Sequence, residues 1–182
     1  KAPNRLLAYV DNNSLSYEAI KSLRTNLMFG MPAQGRAGQR ATVILITGES
    51  PGVGKSFISS NLTEVFAQLD KKVLIIDADM RLGELHKMFS MSQDNGLGDY
   101  LSQDKTHLSK DNAQVSQVVD SQALSNLASF IHATGIDNID FMPRGQHPRN
   151  PASLLANGSF EHLMTELNLH YDYIIIDSPP VL

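Results

Sequence analysis

Three short runs along the chain are almost wholly apolar: Val43-Ile-Leu-Ile46, Val73-Leu-Ile-Ile76 and Tyr173-Ile-Ile-Ile176. Each is too short for a buried helix and rich in β-branched residues, so each predicts a strand. Their lack of polar alternation predicts parallel strands covered on both faces. Ile139-Asp-Phe-Met-Pro143 is a weaker fourth. Between the first two runs, Ile58, Leu62, Val65, Phe66 and Leu69 recur at helical spacing and form one apolar face after Lys55. Strand, loop, helix and strand in that order predict a right-handed crossover unit. Upstream, Ser16 to Phe29 carries Ile20, Leu23, Leu27 and Met28 on one stripe and Glu18, Lys21 and Arg24 across the remainder, which predicts an amphipathic helix. Met31 to Arg40, with Pro32, Gly35 and Gly38, reads as the loop into the first strand. Ser92 to Asp120 is polar, with a turn at Asn95-Gly96 and weak helical pieces near 98–101 and 115–119. From Pro151 onward, Leu154, Leu155, Phe160, Leu163, Met164 and Leu167 predict one helix, or two broken near Asn157-Gly158. The class is α/β: a parallel sheet flanked by helices, with an N-terminal amphipathic helix. One domain spans 1–182, and residues 1–40 form its N-terminal helix and linker.

Composition narrows the functions open to such a domain. With 182 residues, 42% of them hydrophobic, the chain can close a single core. Fifteen basic residues against 19 acidic ones leave a net charge of −4, and the only basic clustering, Arg36 to Arg40, is too sparse for a nucleic-acid face. The absence of cysteine excludes a disulfide framework, a thiolate nucleophile and a Cys-bearing zinc site. The six histidines, at 86, 107, 132, 147, 162 and 170, form no tight cluster and read as surface residues. No apolar run approaches the ~20 residues needed to cross a bilayer, so the chain reads as soluble. It opens on Lys1-Ala-Pro-Asn and stops directly after a buried-strand pattern, which reads as a segment of a longer protein, truncated after its last strand.

Three motifs carry chemistry. Gly48-Glu-Ser-Pro-Gly-Val-Gly-Lys-Ser56 lies between an apolar strand and an amphipathic helix, the context that a phosphate-binding loop requires. Loop amides and the helix N-terminus form an anion nest, Lys55 reaches the β and γ phosphates, and the Ser56 hydroxyl offers an oxygen ligand to Mg²⁺. The match to G-x-x-x-x-G-K-[ST] is displaced: Glu49 stands where the first glycine belongs, and Gly48 lies one place early. The second motif is Asp77-Ala-Asp79-Met-Arg81, whose two carboxylates leave the C-terminal end of a strand, the edge at which open α/β sheets bind ligands. Paired carboxylates there can hold Mg²⁺ or accept a proton. Third, Asp177 ends the hydrophobic run 174–176, as in the magnesium-orienting strand of P-loop nucleotide hydrolases.

The combination of Ser50 to Ser56, Asp-x-Asp-x-Arg at 77–81 and Ile-Ile-Ile-Asp-Ser-Pro-Pro at 174–180 resembles the bacterial tyrosine kinases of capsule and exopolysaccharide export, in particular the cytoplasmic domain of the Wzc-type polysaccharide co-polymerases. The likeness extends to Gly145-Gln-His-Pro-Arg-Asn-Pro-Ala-Ser-Leu-Leu155 and to Glu18-x-x-Lys21-x-x-Arg24, in which Lys21 replaces the family's first arginine. The resemblance implies a P-loop kinase fold that binds ATP or ADP with Mg²⁺. It places Glu49, Ser50, Pro51, Gly52, Val53, Gly54, Lys55, Ser56 and Phe57, with Arg81, around the nucleotide. Asp77, Lys55 and Asp79 would be catalytic, Asp77 being the base toward a tyrosine hydroxyl. Ser56, Asp77, Asp79 and Asp177 would hold the metal. It also implies autophosphorylation between subunits docked head to tail through Glu18, Lys21 and Arg24, at the cytoplasmic face of the bacterial inner membrane. Further partners would be the membrane-embedded co-polymerase portion and a cognate tyrosine phosphatase. Two other functions fit the same motifs. One is a MinD- or ParA-like ATPase, which would carry a lysine where Ser50 and a glycine where Pro51 stand; the other is a non-catalytic ATP-gated assembly module.

Overall fold

Side chains alternate between the two faces of a strand, so a run apolar at every position must be covered on both sides. The structure, a computed structural model, describes residues 5–31, 41–103, 127–148, 150 and 158–181. Among these, the elements in chain order are α1 (Leu7–Val10), α2 (Leu15–Gly30), β1 (Thr42–Ile46), α3 (Lys55–Ala67), β2 (Val73–Asp77), α4 (His86–Phe89), α5 (Leu97–Leu101), β3 (His132–Ala133), β4 (Ile139–Met142), α6 (Ser159–Leu167) and β5 (Tyr173–Asp177). The strands form one sheet in the order β1-β5-β2-β4-β3. The first four in that order are mutually parallel, while β3 pairs antiparallel with β4, so the sheet is mixed rather than wholly parallel.

The apolar runs divide as alternation requires. Val73, Ile75, Tyr173, Ile175, Ile139 and Phe141 pack with α3 and the N-terminal helices, and Phe66 of α3 lies 4.2 Å from the Tyr173 ring. Leu74, Ile76, Ile174, Ile176 and Met142 pack on the opposite face with Leu163 and Leu167 of α6 and with α5. Every residue of β2 and β5 is buried. At the edge strand β1, by contrast, Val43 and Leu45 are exposed while Ile44 is buried.

The N-terminal helix is present, and of the apolar stripe read from the sequence Ile20 and Leu27 face the core while Leu23 and Met28 do not. Ser14 caps it by accepting the Tyr17 amide, at 3.1 Å. Tyr17 and Ile20 are buried and Leu27 packs on the core, whereas Leu23 and Met28 are exposed. Polar contacts turn the helix: Arg24 Nη1 donates to the Val65 carbonyl at 2.8 Å, and the Tyr17 hydroxyl donates to Glu64 at 3.2 Å. Because α3 lies between the sheet and α2, all its residues from Ser59 to Ala67 are buried, polar ones included, while Leu69 of the expected face lies past its end and is exposed. From the segment expected to hold one or two helices, α6 begins directly after Gly158, at φ 79°, and the part carried by Leu154 and Leu155 lies outside the described residues. The helical piece at 115–119 and the loop at 32–40 lie outside the described residues.

Candidate functional site

The register of the sheet assembles the site. Ile46, Asp177 and Asp77 are consecutive partners across β1, β5 and β2, so the loop that follows β1 and the two carboxylates emerge side by side at one sheet edge. The loop turns through Gly52 and Gly54 at φ 77° and 96°, where a side chain would strain the backbone. Gly54 precedes α3 with no side-chain cap, leaving the first amides of the helix to face an anion. Gly48 also explains the displaced motif: a Cβ there would lie 2.9 Å from Val53 Cγ2 and 3.3 Å from Lys55 Cδ. The close approach expected of the first motif glycine therefore falls at 48, and Glu49 is exposed.

A cavity of about 430 Å³ opens beside the loop, lined by Pro51, Gly52, Gly54, Lys55 and Ser56 on one wall. Asp79, Leu82, Gly83 and Glu84 form the opposite wall, and Asp177 and Ser178 complete it. Of the residues expected around the nucleotide, Glu49, Ser50, Val53, Phe57 and Arg81 are off this lining. Asp177 is held from two turns of one helix face: Ser56 Oγ donates to its Oδ2 at 2.6 Å and Ser59 Oγ to its Oδ1 at 3.0 Å. Burial pushes its carboxyl above the ordinary range, against those two hydroxyls and the Lys55 charge. Ser59 was not among the sequence candidates, although it lies one turn beyond Ser56.

Asp77 is placed differently. It is fully buried, off the cavity wall, and each of its oxygens accepts a backbone amide, Oδ1 from Asp79 at 3.2 Å and Oδ2 from Leu85 at 3.1 Å. Burial raises its pKa from 3.8 to about 7, and the Asp177 charge adds to this against the pull of the Leu85 amide. Asp79, on the wall, accepts the amides of Arg81 and Leu82 on Oδ1, at 3.2 and 3.0 Å.

The donor set suits Mg²⁺, with one hydroxyl and carboxylate oxygens around a single cavity. Among the described residues no three His, Asp or Glu side chains converge into a metal cage. Mg²⁺ binds through one or two carboxylates and completes its shell with water and substrate phosphate.

The AAA_31 family, described as an AAA domain, matches residues 41–182. The chain belongs to this family. It is 37% identical over 180 residues to the tyrosine-protein kinase wzc of Salmonella typhimurium, covering 98% of this chain and 21% of that protein. The solved kinase domain of Escherichia coli tyrosine kinase ETK is 36% identical with a TM-score of 0.75, over 96% of this chain and 58% of that one. The cell division ATPase MinD of Pyrococcus furiosus, at 22% identity and a TM-score of 0.56, covers 78% of this chain and 52% of its own and shares the fold. The chain thus spans a minor part of the curated relatives that it matches.

The helix residues Glu18, Lys21 and Arg24 do not form one open charged face. Glu18 and Lys21 pair with each other, and Lys21 lies 5.0 Å above the Tyr17 ring. Arg24 instead turns inward to α3.

Proposed function

We propose that this chain is a single P-loop kinase domain that transfers the γ-phosphoryl group of Mg-ATP to a protein tyrosine hydroxyl. The observation that carries the reading is the side-by-side emergence of the phosphate loop, Asp177 and Asp77 at one sheet edge, in a chain similar to tyrosine kinases over nearly its whole length. Ser50 and Pro51, where a MinD- or ParA-like ATPase would carry lysine and glycine, favour it over that alternative.

Each residue then has a part. Lys55 compensates phosphate charge, and the amides at the start of α3 bind phosphate oxygens. Of the four side chains expected to hold the metal, Ser56, Asp79 and Asp177 would do so, Asp77 being off the cavity with both oxygens engaged, and the cation when bound would neutralise phosphate charge. The tyrosine oxygen bonds to the γ-phosphorus as the bond to the bridging oxygen breaks, and Asp77 receives the hydroxyl proton. A pKa of about 7 suits that task, since a general base works best near the operating pH.

The domain acts within a capsule or exopolysaccharide system, at the cytoplasmic face of the inner membrane, joined to a membrane-embedded portion and reversed by a tyrosine phosphatase. Among the described residues no helix is long and apolar enough to cross a membrane. Copies dock head to tail through the surface bearing Glu18 and Lys21, with Arg24 securing that helix to α3.

The test is phosphotyrosine formation on an added tyrosine peptide by the full-length protein. Turnover that requires Mg-ATP and is lost in Asp77→Asn supports the reading. ATP hydrolysis without phosphotyrosine points to the ATPase, and nucleotide binding with neither product to the assembly module.

A further inference from the structure

The proposed base lies beneath its own chain. Gly83 rests on Asp77 so closely that a Cβ would fall 2.2 Å from Oδ1 and 2.5 Å from Oδ2. No hydroxyl reaches a carboxylate so covered. The cover belongs to the turn from Asp79 to Leu85, whose two ends are fixed. The Asp79 and Leu85 amides are bonded to Asp77, and the Leu85 side chain is fully buried. Beside the first of these ends, the Met80 carbonyl faces His147 Nδ1 at 2.9 Å and Arg144 Nη1 at 3.3 Å.

The middle of the turn is held lightly. Arg81, Leu82 and Glu84 are exposed and only Gly83, which has no side chain, is buried, so lifting the segment gives up little buried apolar surface. The bonds that keep it down are the Arg81 and Leu82 amides to Asp79 Oδ1 and the Gly83 amide to the Asp79 carbonyl at 2.7 Å. Two of these three end on the carboxylate that also lines the phosphate cavity, as do Leu82, Gly83 and Glu84.

We propose that residues 81–84 form a gate over Asp77: closed in this structure, it keeps the acceptor from the base, and it lifts when the phosphate cavity fills. Gly83 is the positioning residue on which closure depends, because a side chain there cannot lie against Asp77. Drawing Asp79 into the cavity weakens two of the bonds that hold the gate, which links occupancy of one wall to exposure of the group beneath it. The proposal rests on the reading of Asp77 as base.

Carbodiimide labelling with an added amine tests it in the full-length protein, reading Asp77 by peptide mass spectrometry. Without nucleotide, Asp77 should label far more slowly than the exposed carboxylates, and Mg-ADP should speed its labelling and the hydrogen exchange of the peptide spanning 78–88. Gly83→Ala should label at Asp77 without nucleotide. Because nucleotide and the open gate favour each other, a protein held open should bind Mg-ADP more tightly, by about tenfold or more for a closed state that opens about 0.1–10% of the time without nucleotide. Rapid labelling of Asp77 in the nucleotide-free wild type would overturn the gate, as would a Gly83→Ala protein that exposes Asp77 yet binds Mg-ADP no more tightly than the wild type. Should Gly83→Ala not fold, the wild-type exchange decides: no acceleration with Mg-ADP refutes lifting. Full turnover by Asp77→Asn would instead remove the base reading, an outcome distinct from any labelling result.

Discussion

A carboxyl group buried as completely as Asp77 should cost the fold stability at neutral pH, and the cost can be worked out. Its pKa rises from 3.8 to about 7 on folding, through burial first. Below the lower value the group is protonated in both states and contributes no pH dependence. Between the two values the unfolded chain loses the proton while the folded chain keeps it, so stability falls as pH rises, reaching its full cost of about 4 kcal/mol above the folded pKa. Asp77→Asn removes this cost at every pH. It also replaces one of the two oxygens that accept the Asp79 and Leu85 amides with an NH₂ group, a loss of about 1–3 kcal/mol. The variant should therefore be less stable than the parent below about pH 5 and more stable by about 1–3 kcal/mol at about pH 8. Urea unfolding followed by far-ultraviolet circular dichroism measures the difference, the chain having no tryptophan to report by fluorescence. A stability difference that stays constant from about pH 5 to pH 8 would mean that Asp77 ionises freely in the folded protein, which would refute the reasoning.

Lys55→Met should weaken Mg-ADP binding by roughly 10- to 150-fold, the equivalent of one charged hydrogen bond, and unchanged affinity in titration calorimetry would remove Lys55 from the phosphate site. Ser59→Ala should raise the Mg²⁺ concentration needed for half-maximal ADP binding about tenfold, because it frees one Asp177 oxygen, while Ser59→Thr should restore it; equal Mg²⁺ dependence in Ser59→Ala would make the hydroxyl a helix contact only. Arg24→Ala should lower unfolding stability by about 1–3 kcal/mol through loss of its bond to the Val65 carbonyl, whereas Lys21→Ala should change stability by less than about 1 kcal/mol and act on subunit mass in light scattering. Equal stability effects from the two would return Arg24 to the exposed face of the helix.

The central strands were legible because β2 and β5 are buried on both faces and so admit no polar residue until the edge, where Asp77 and Asp177 mark their ends. The antiparallel β3 was not, since two residues carry no periodicity. Nor were α1 and α4, of four residues each, for which no helical repeat can be counted. The stripe of α2 was legible only at Ile20 and Leu27, for a different reason. Apolar spacing assumes that the buried face is the apolar one, yet this helix also meets α3 through Tyr17 and Arg24, and Glu64 on α3 and Gln68 just past its end supply partners for the Tyr17 hydroxyl at 3.2 and 2.7 Å.

At the site, the features set by strand ends and loop spacing were legible, and those set by one backbone lying on another were not. Nothing in Asp77-Ala-Asp79 tells the two carboxylates apart, because period two aims both the same way. The distinction arises four residues beyond Asp79, where Gly83 lets the chain fold back onto the first carboxylate and leaves the second on the cavity wall. The same physics places the close approach at 48 rather than 49: a Cβ at 48 would meet the Val53 side chain, a neighbour set by the path of the loop rather than by the count of residues. Asp77 and Asp79 thus owe their different surroundings to a residue with no functional group. A variant at Gly83 should accordingly change the chemistry of Asp77 more than that of Asp79, although Asp79 is the nearer of the two in sequence.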